Sequence, residues 1–550
     1  MPIQLKPLST YASGSFDEGA AEIVAYDPQV QQLFITNAEQ NTVDIVDISN
    51  PSNLNFIDRI PLDAYGAGVN SVAAHNGVIA IAVEADSKQD VGQVVFFDAQ
   101  GTYLNSVTVG ALPDMVTFTP DGTKVVVANE GEPNSYHEAD SIDPYGSVSI
   151  IDISTGINTA QVKTVDFRKF NFYSETVQAS GIRIFGPDAN IAQDLEPEYI
   201  AVSGDSSTAW VSLQENNALA VVDLNEGNIT ELLPLDYKKL SLQGNAIDAS
   251  DKDGAINIHH WEDIPLYGMY QPDAIATYTA NDGQTYILTA NEGDSRADYP
   301  GFNEEARVSD LPLDPTAFPN AEYLQAENNL GRLKVTNTLG DLDNDGDYDA
   351  LFAFGGRSFS IRDTEGNLVF DSGNDFERII AQLNPENLNS TNDENGSFDN
   401  RSDDKGPEPE AITIGQIDGQ TYAFIGLERD GGIMVYDITT PHAAEFVQYI
   451  NNRNFNVDAQ LSDGSSNAAA GDLGPEDLVF LSSEDSPNGQ PLLVVANEIS
   501  GTTTTYTIET ISPQISQESN ISNPGPWFSS LSSALFLLGV MTISSVRAKN

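Results

Sequence analysis

The sequence predicts an all-β protein, a seven-bladed β-propeller of the WD40/YVTN-like kind with long loop insertions and a C-terminal hydrophobic helix. Three observations carry that expectation: one unit recurs along the chain, each copy holds three or four strand-like runs, and matched positions in the copies hold the same residue types. The unit is clearest from Leu112 to Ser154. Asp114 opens an alternating apolar run (MVTFT), a PDG turn follows, a second run (KVVVA) ends at Asn129-Glu130, and a third run (VSIIDI) closes around Asp152. Alternation bounded by Gly-rich turns reads as strands joined in hairpins. The same frame fits Ala21 to Ile48, Asn70 to Asp98, Glu196 to Leu224, Asp273 to Asp363, Glu408 to Ile438 and Glu476 to Ile508, which makes seven copies. Outer strands follow most copies, among them LNFIDRI, LNSVTV and EFVQYI. Four strands per unit at a period of about 40 residues is the pattern of a propeller blade.

Matched positions point to a site. The opening position holds Glu22, Asn70, Asp114, Glu198, Asp273, Glu410 and Glu476, acids in six copies of seven. The second run ends on Glu39, Glu84, Glu130, Glu215, Glu292, Glu428 and Glu498, a Glu in every copy. The third ends on Asp47, Asp98, Asp152, Asp223, Asp363 and Asp437, and only the last copy departs, with Thr507. In a propeller the innermost strand starts on one face and the second strand returns to it. The opening acids and second-strand Glu residues are therefore expected as a double acidic ring around the channel mouth. Carboxylates that close repel one another unless cations or Arg and Lys neutralise them. The alternative is that each Glu caps a loop in its own blade by accepting backbone N–H bonds.

Composition narrows the setting. The chain has 550 residues, yet seven blades with insertions absorb nearly all of them, so one large domain is expected over residues 1–509. A balance of 24 Lys+Arg against 82 Asp+Glu gives a formal net charge of -58. That charge repels nucleic acid and anionic lipid and favours divalent cations as partners. With 40% hydrophobic residues the charge decorates a packed core rather than a disordered tail. There is no cysteine, hence no disulfide and no thiolate metal site.

Along the chain, the N-terminal segment has no apolar signal-peptide core, and Ile3 to Tyr11 is expected as the outer strand of the seventh blade, closing the ring. The basic, aromatic stretch from Phe167 to Val202 reads as a packing insert. Asp248, Asp251 and Asp253 before Gly254 fit either a short cation loop or a turn, while His259 and His260 point to opposite faces of an extended segment and read as structural. Blade five is split by about sixty residues, longer than an ordinary loop. Inside lies Asp341-Leu-Asp343-Asn-Asp345-Gly346-Asp347-Tyr-Asp349. Side-chain oxygens at positions one, three, five and nine, the Asp347 carbonyl at seven and a Gly at six are what a Ca2+ loop requires, because this hard ion takes six to eight oxygens. Position twelve is Phe352, so the bidentate Glu of a helical loop is absent and another ligand must come from elsewhere. A second insertion, 371–410, brings Arg401, Asp403, Asp404, Lys405, Glu408 and Glu410 close together. A polar linker (510–526) then leads to Trp527 to Val546, an uncharged apolar run long enough to span a bilayer, followed by a basic tail (547–550). A membrane anchor and a cleaved sorting signal both fit that run.

Phrases including GSFDEGAAEIVAYDP, GALPDMVTFTPDGTKVVVANEGEP, AQDLEPEYIAVS, GDLDNDGDYDALFAFGGRSFSI, NRSDDKGPEPEAITIG and LLVVANEISGTTTTY resemble the bacterial choice-of-anchor I domain family over residues 14–508. That family is similar to mesenchyme-specific cell surface glycoproteins, and some members carry alkaline phosphatase names. The resemblance implies a surface protein held by a C-terminal anchor, although no export signal is evident at the N-terminus and the tail lacks a Pro-Glu-Pro start. Two functions are expected. The first is a surface-anchored, Ca2+-binding scaffold that presents an acidic face to cations, a mineral surface or a partner. The second is a Ca2+-dependent phosphoester hydrolase in which ring acids such as Glu410 and Glu428 hold metal while Arg296, Arg357, Lys405 or Arg429 stabilises charge.

Overall fold

The computed structural model describes residues 3–17, 19–297 and 299–511. They contain seven four-stranded antiparallel sheets and one five-stranded sheet. The expected linker, apolar segment and basic tail lie outside the described residues, among which no helix is long and apolar enough to cross a membrane.

The seven sheets share one logic. Their first strands are Val24–Asp27, Gly68–His75, Pro113–Phe118, Ile200–Val202, Ile275–Thr279, Pro409–Ile417 and Pro475–Leu481. Each pairs with the next strand of its own repeat, and successive hairpins build the sheet outward. The first strands touch one another in chain order, and the last touches the first. The architecture is thus all-β and propeller-like, with an open cavity of about 300 Å³ among the first strands near Val24, Ser71, Val116, Tyr199 and Asp477.

Burial explains the sequence pattern. Second strands such as Val78–Glu84 and Leu492–Asn497 are covered on both faces by neighbouring sheets, so Ile79 to Val83 and Leu492 to Ala496 read as unbroken apolar runs. Outer strands such as Asn55–Pro61 have a free face and are mostly exposed.

The chain ends meet in the seventh sheet. Ile3–Ala12 pairs antiparallel with Thr502–Thr510, from Ile3 opposite Thr510 to Ala12 opposite Thr502. Ile3 and Leu5 point inward, at 3% and 1% exposure, and join Ala411, Phe424, Leu478 and Ile508 between the sixth and seventh sheets. A buried aliphatic side chain contributes about 1.5–3 kcal/mol, so this strand fastens the sixth and seventh sheets with apolar packing as well as ladder hydrogen bonds.

The insertions fold as well. The segment after the fourth sheet and the long insertion of the fifth combine into the five-stranded sheet, in the order Tyr237–Lys239, Leu266–Met269, Leu351–Ala353, Lys334–Thr336, Glu305–Arg307. Leu266–Met269 runs parallel to Leu351–Ala353, and beneath them Trp261, Val308, Phe318, Leu330 and Val335 form a separate core. Phe352, in the Leu351–Ala353 strand, belongs to a second cluster with Met269, Ala350 and Phe354 and packs on Tyr237 and Tyr267. Of the two readings of Asp248 to Gly254, the turn accounts for the contacts: Asp251 pairs with Arg332 at 2.9 Å and Asp248 accepts the Asn257 N–H at 2.7 Å. The Phe167 to Leu195 stretch packs against the third and fourth sheets through Phe167, Val177, Ile182 and Ile191.

The N-terminal strand gives the first test. Leu5→Ala is expected to cost about 2–5 kcal/mol in urea unfolding, whereas Lys6→Ala, which removes only an exposed pair with Glu509, should cost under about 1 kcal/mol. Equal, small effects of both variants would mean that the strand does not fasten the sheets.

Candidate functional site

Local structure aims the opening acids. In the second, third, sixth and seventh sheets the pairing of first and second strands slips at a bulge spanning Asn70, Asp114, Glu410 and Glu476 respectively. A bulge re-aims the side chain it carries. Proline precedes the acid in five copies, at Pro113, Pro197, Pro272, Pro409 and Pro475. With no N–H to offer the ladder, proline favours this break at the start of a strand. The second-strand Glu residues are held differently. Buried Asn129, Asn291 and Asn497 tie the end of the second strand to Ser149, Ser360 and Thr502 of the third, and Glu130, Glu292 and Glu498 follow directly.

The result is a crowd of carboxylates. Asp114, Glu130, Glu198, Glu215 and Asp273 line one cavity of about 210 Å³, together with Glu132 and Asp294. Carboxylate oxygens of Asp273, Glu292 and Glu410 lie within 4.8 Å of one another, as do those of Glu292, Glu408 and Glu428. Burial pushes the Glu22 carboxyl up to about 8, and Glu498, Asp114 and Asp273 push it the same way. Burial, then Asp273, raises Asp114 to about 7. Burial raises Glu292 to about 7 and Asp294 to about 8 against the opposing pull of Lys405. Glu130, Glu198, Glu410, Glu428 and Glu476 are driven well above the ordinary carboxylate range by burial, reinforced by acids of other sheets. Glu498 is raised by burial. Glu39 is exposed, and Asn70 breaks the series in the second sheet, where Lys88 lies near Glu84.

The positive charges are unevenly spread. Lys405 pairs with Glu292 and, at 3.1 Å, with Glu408. Arg401 and Arg429 also reach Glu408, at 2.6 and 3.1 Å, and Arg429 reaches Glu428 at 2.9 Å. Against the cost of burial these three cations hold Glu408 well below its ordinary value. The fifth-to-sixth side of the mouth is therefore largely neutralised, and the Asp114–Glu130–Glu198–Glu215 side is not.

Two expected charge stabilisers fall elsewhere. Arg296, 1% exposed, is bound to Asp194 and to Glu196 at 2.9 Å and stacks over Phe185. Arg357, 4% exposed, pairs with Glu377 at 2.6 Å and donates to the carbonyls of Asp248, Ser402 and Asp404. Both tie insertions to the sheets, and burial keeps them from an incoming anion.

In the expected Ca2+ loop, carboxylate oxygens of Asp341, Asp343 and Asp349 come within 4.8 Å of one another. The Asp341 carboxylate accepts N–H bonds from Asp345 and Gly346 at 3.1 Å each, and Gly346 turns with φ 102°. Asp345 is outside that trio and accepts the Asp347 N–H at 3.2 Å. The Asp347 side chain, expected to stand free while its carbonyl served, groups instead with Asp349 and with Asp314 from a distant segment. An all-oxygen set of this spacing suits Ca2+.

Matching copies one by one does not reach Glu132, Glu196, Asp294 and Glu408, of which Glu408 enters only through the charged cluster of the 371–410 insertion. A signal for two of them is present: Glu196-Pro-Glu198 and Glu408-Pro-Glu410 repeat one another, and residues two apart in an extended segment share a face.

The fold and this mouth define an all-β, propeller-like protein with carboxylates gathered where its repeats open. The choice-of-anchor I domain model matches residues 22–441, and the chain belongs to that family. It is similar to Gigasin-3a of Magallana gigas, 31% identical over 182 residues that cover 32% of this chain and 64% of the relative. It is also similar to the mesenchyme-specific cell surface glycoprotein of Strongylocentrotus purpuratus, 27% identical over 317 residues that cover 50% of this chain and 40% of the relative. The chain thus spans less than two thirds of either relative's length. Among solved structures, Kuenenia stuttgartiensis hydrazine synthase matches with a TM-score of 0.43 and 12% identity, over 90% of this chain and 99% of that one. The fold description rests on the strand pairing above.

The raised carboxyls make stability depend on pH. Unfolded carboxyls titrate near pH 4, while Asp114 and Glu292 hold their protons to about 7 and Glu22 and Asp294 to about 8. The folded state binds more protons across that window, so its stability is highest below it and falls as pH rises through it. With chelator present, the melting temperature is expected to fall between about pH 5 and pH 8, and to fall less in millimolar Ca2+. A melting temperature that rises over that range in chelator would contradict the crowding.

Proposed function

We propose that this protein is a surface-displayed, Ca2+-loaded binding propeller. Its seven four-stranded sheets act as the blades of one ring, its acidic mouth takes divalent cations, and the Asp341–Asp349 loop holds a further Ca2+ that stabilises the five-stranded insertion. The carrying observation is the imbalance at the mouth, where acids from six of the seven sheets crowd together while Lys405, Arg401 and Arg429 gather on one side, leaving Lys88 and Arg296 for the other. A cation layer on such a face can bridge to a partner's carboxylates or phosphates or to a mineral surface. Display at the cell surface is supported by membership of the choice-of-anchor I domain family and by the likeness to a cell surface glycoprotein. The C-terminal apolar segment is the proposed anchor.

One observation favours a second reading, a Ca2+-dependent phosphoester hydrolase. The trios Asp273–Glu292–Glu410 and Glu292–Glu408–Glu428 share Glu292, as two metals clamping a phosphate would need, with Lys405 and Arg429 beside them. Lys405, Arg401 and Arg429 already neutralise the second trio, so it has little need of a metal, and the binding reading is preferred.

The whole chain is expected to bind Ca2+ saturably and to melt higher with Ca2+ than with chelator. An ion at 100 times its dissociation constant adds about 2.7 kcal/mol, and Asp343→Ala should remove the loop's share. A phosphoester panel in millimolar Ca2+ should show no turnover. Identical melting with Ca2+ and chelator would refute the binding reading. Turnover that stops with chelator and falls by orders of magnitude in Glu410→Gln and Glu428→Gln would establish the hydrolase in its place.

A further inference from the structure

Three carboxylates meet beside the acidic cavity between the third, fourth and fifth sheets, which Glu130 and Glu215 line. Glu130 follows the second strand of the third sheet, Glu215 follows that of the fourth, and Glu196 sits in the turn that enters the fourth. Each offers an oxygen within 4.8 Å of the other two. A point equidistant from three oxygens no more than 4.8 Å apart lies within about 2.8 Å of each, so a small inward shift of the side chains brings all three to the Ca2+–O range of about 2.3–2.6 Å.

A second observation marks this trio off from the other acidic groups. Glu196 and Glu215 are 1% and 5% exposed, and one oxygen of each, Glu196 Oε1 and Glu215 Oε2, has no hydrogen-bond partner among the described groups. The same holds for Glu198 Oε2, whose residue lines the cavity with Glu215. A buried carboxylate oxygen left unpaired is destabilising, and three in one place leave a large deficit. The other trios at the mouth differ, because Lys405 and Arg429 already supply partners to Glu292, Glu408 and Glu428.

We infer that Glu130, Glu196 and Glu215 bind one divalent cation, Ca2+ by preference, at a site distinct from the Asp341–Asp349 loop. The inference rests on the reading of the mouth as cation-binding and names the ion's ligands there. Arg296 is a positioning residue. It holds Glu196 Oε2 at 2.9 Å and so leaves Oε1 turned to the ion. Asn216 supports the same turn by donating to the carbonyls of Arg183 and Asp194 at 2.9 and 2.7 Å. One guanidinium shared between Asp194 and Glu196 cannot offset Glu130 and Glu215 as well, so the ionised carboxylates outnumber the cation by three and a divalent ion removes most of that excess. Oxygen donors without nitrogen or sulfur select a hard ion, and carboxylates drawn from three separate segments suit the looser shell of Ca2+ over the strict octahedron of Mg2+.

Equilibrium dialysis of the whole chain against Ca2+, with bound metal counted by mass spectrometry, tests the site. Glu215→Gln and Glu130→Gln should each bind one ion fewer than wild type at a free Ca2+ that saturates it. Asp343→Asn should lose a different ion, so that its combination with Glu215→Gln loses two. A Mn2+-soaked crystal of the wild-type chain should show an anomalous peak among the three carboxylates, which decides the matter even if a variant does not fold. Wild-type ion counts in both Gln variants, or anomalous peaks at the loop with none among Glu130, Glu196 and Glu215, would overturn this site and leave the broader reading standing. A wild-type chain that binds no divalent ion would overturn both.

Discussion

Repulsion among carboxylates is the constraint on which this structure turns. The fold brings acids from successive repeats to one end and buries many of them, which drives Glu130, Glu198, Glu410, Glu428 and Glu476 well above their ordinary range. Like charges in a poorly solvated funnel must be protonated, paired with Lys or Arg, or bridged by metal. Part of the mouth takes the second course, through Lys405, Arg401 and Arg429. The remainder has too few cations nearby, and metal is the partner its chemistry invites.

The scaffold accepts this strain because its stability lies elsewhere. Second strands buried on both faces and the apolar clusters between sheets hold the sheets together, and the N-terminal strand fastens the last two through Ile3 and Leu5. Bulges and prolines at the strand starts then set acids on the rim without disturbing the cores. Packing and site are separable along the chain. The residues that carry charge lie at strand ends, and those that carry stability lie in strand middles.

How much was legible in the sequence follows from range. The repeat was readable because each sheet is built from hairpins whose partners are near neighbours in the chain, and the closing strand because the last copy lacked an outer one. The five-stranded sheet was not, since its strands are three or four residues long and Leu266–Met269 finds Leu351–Ala353 across more than eighty residues. The ring acids could be found from matched positions, and so could the Asp341 to Asp349 spacing. Arg296 and Arg357 looked available for chemistry because their partners, Asp194 and Glu377, lie in insertions with no repeat to align. Asp314 was hidden for the same reason: its group forms only when distant segments fold together.

The central claim, that cations relieve carboxylates otherwise driven to hold protons, has one direct test. Ca2+ titrated into the protein at pH 7 in two buffers of different ionisation heat reports how many protons leave as the ion binds. The account predicts saturable binding with net proton release, because an ion displaces the protons of the groups it binds. That release should persist in Asp343→Ala, which leaves the buried carboxylates of the mouth in place, whereas the loop's own are exposed or half-buried. Saturable binding with no proton release, or release abolished by Asp343→Ala, would contradict it.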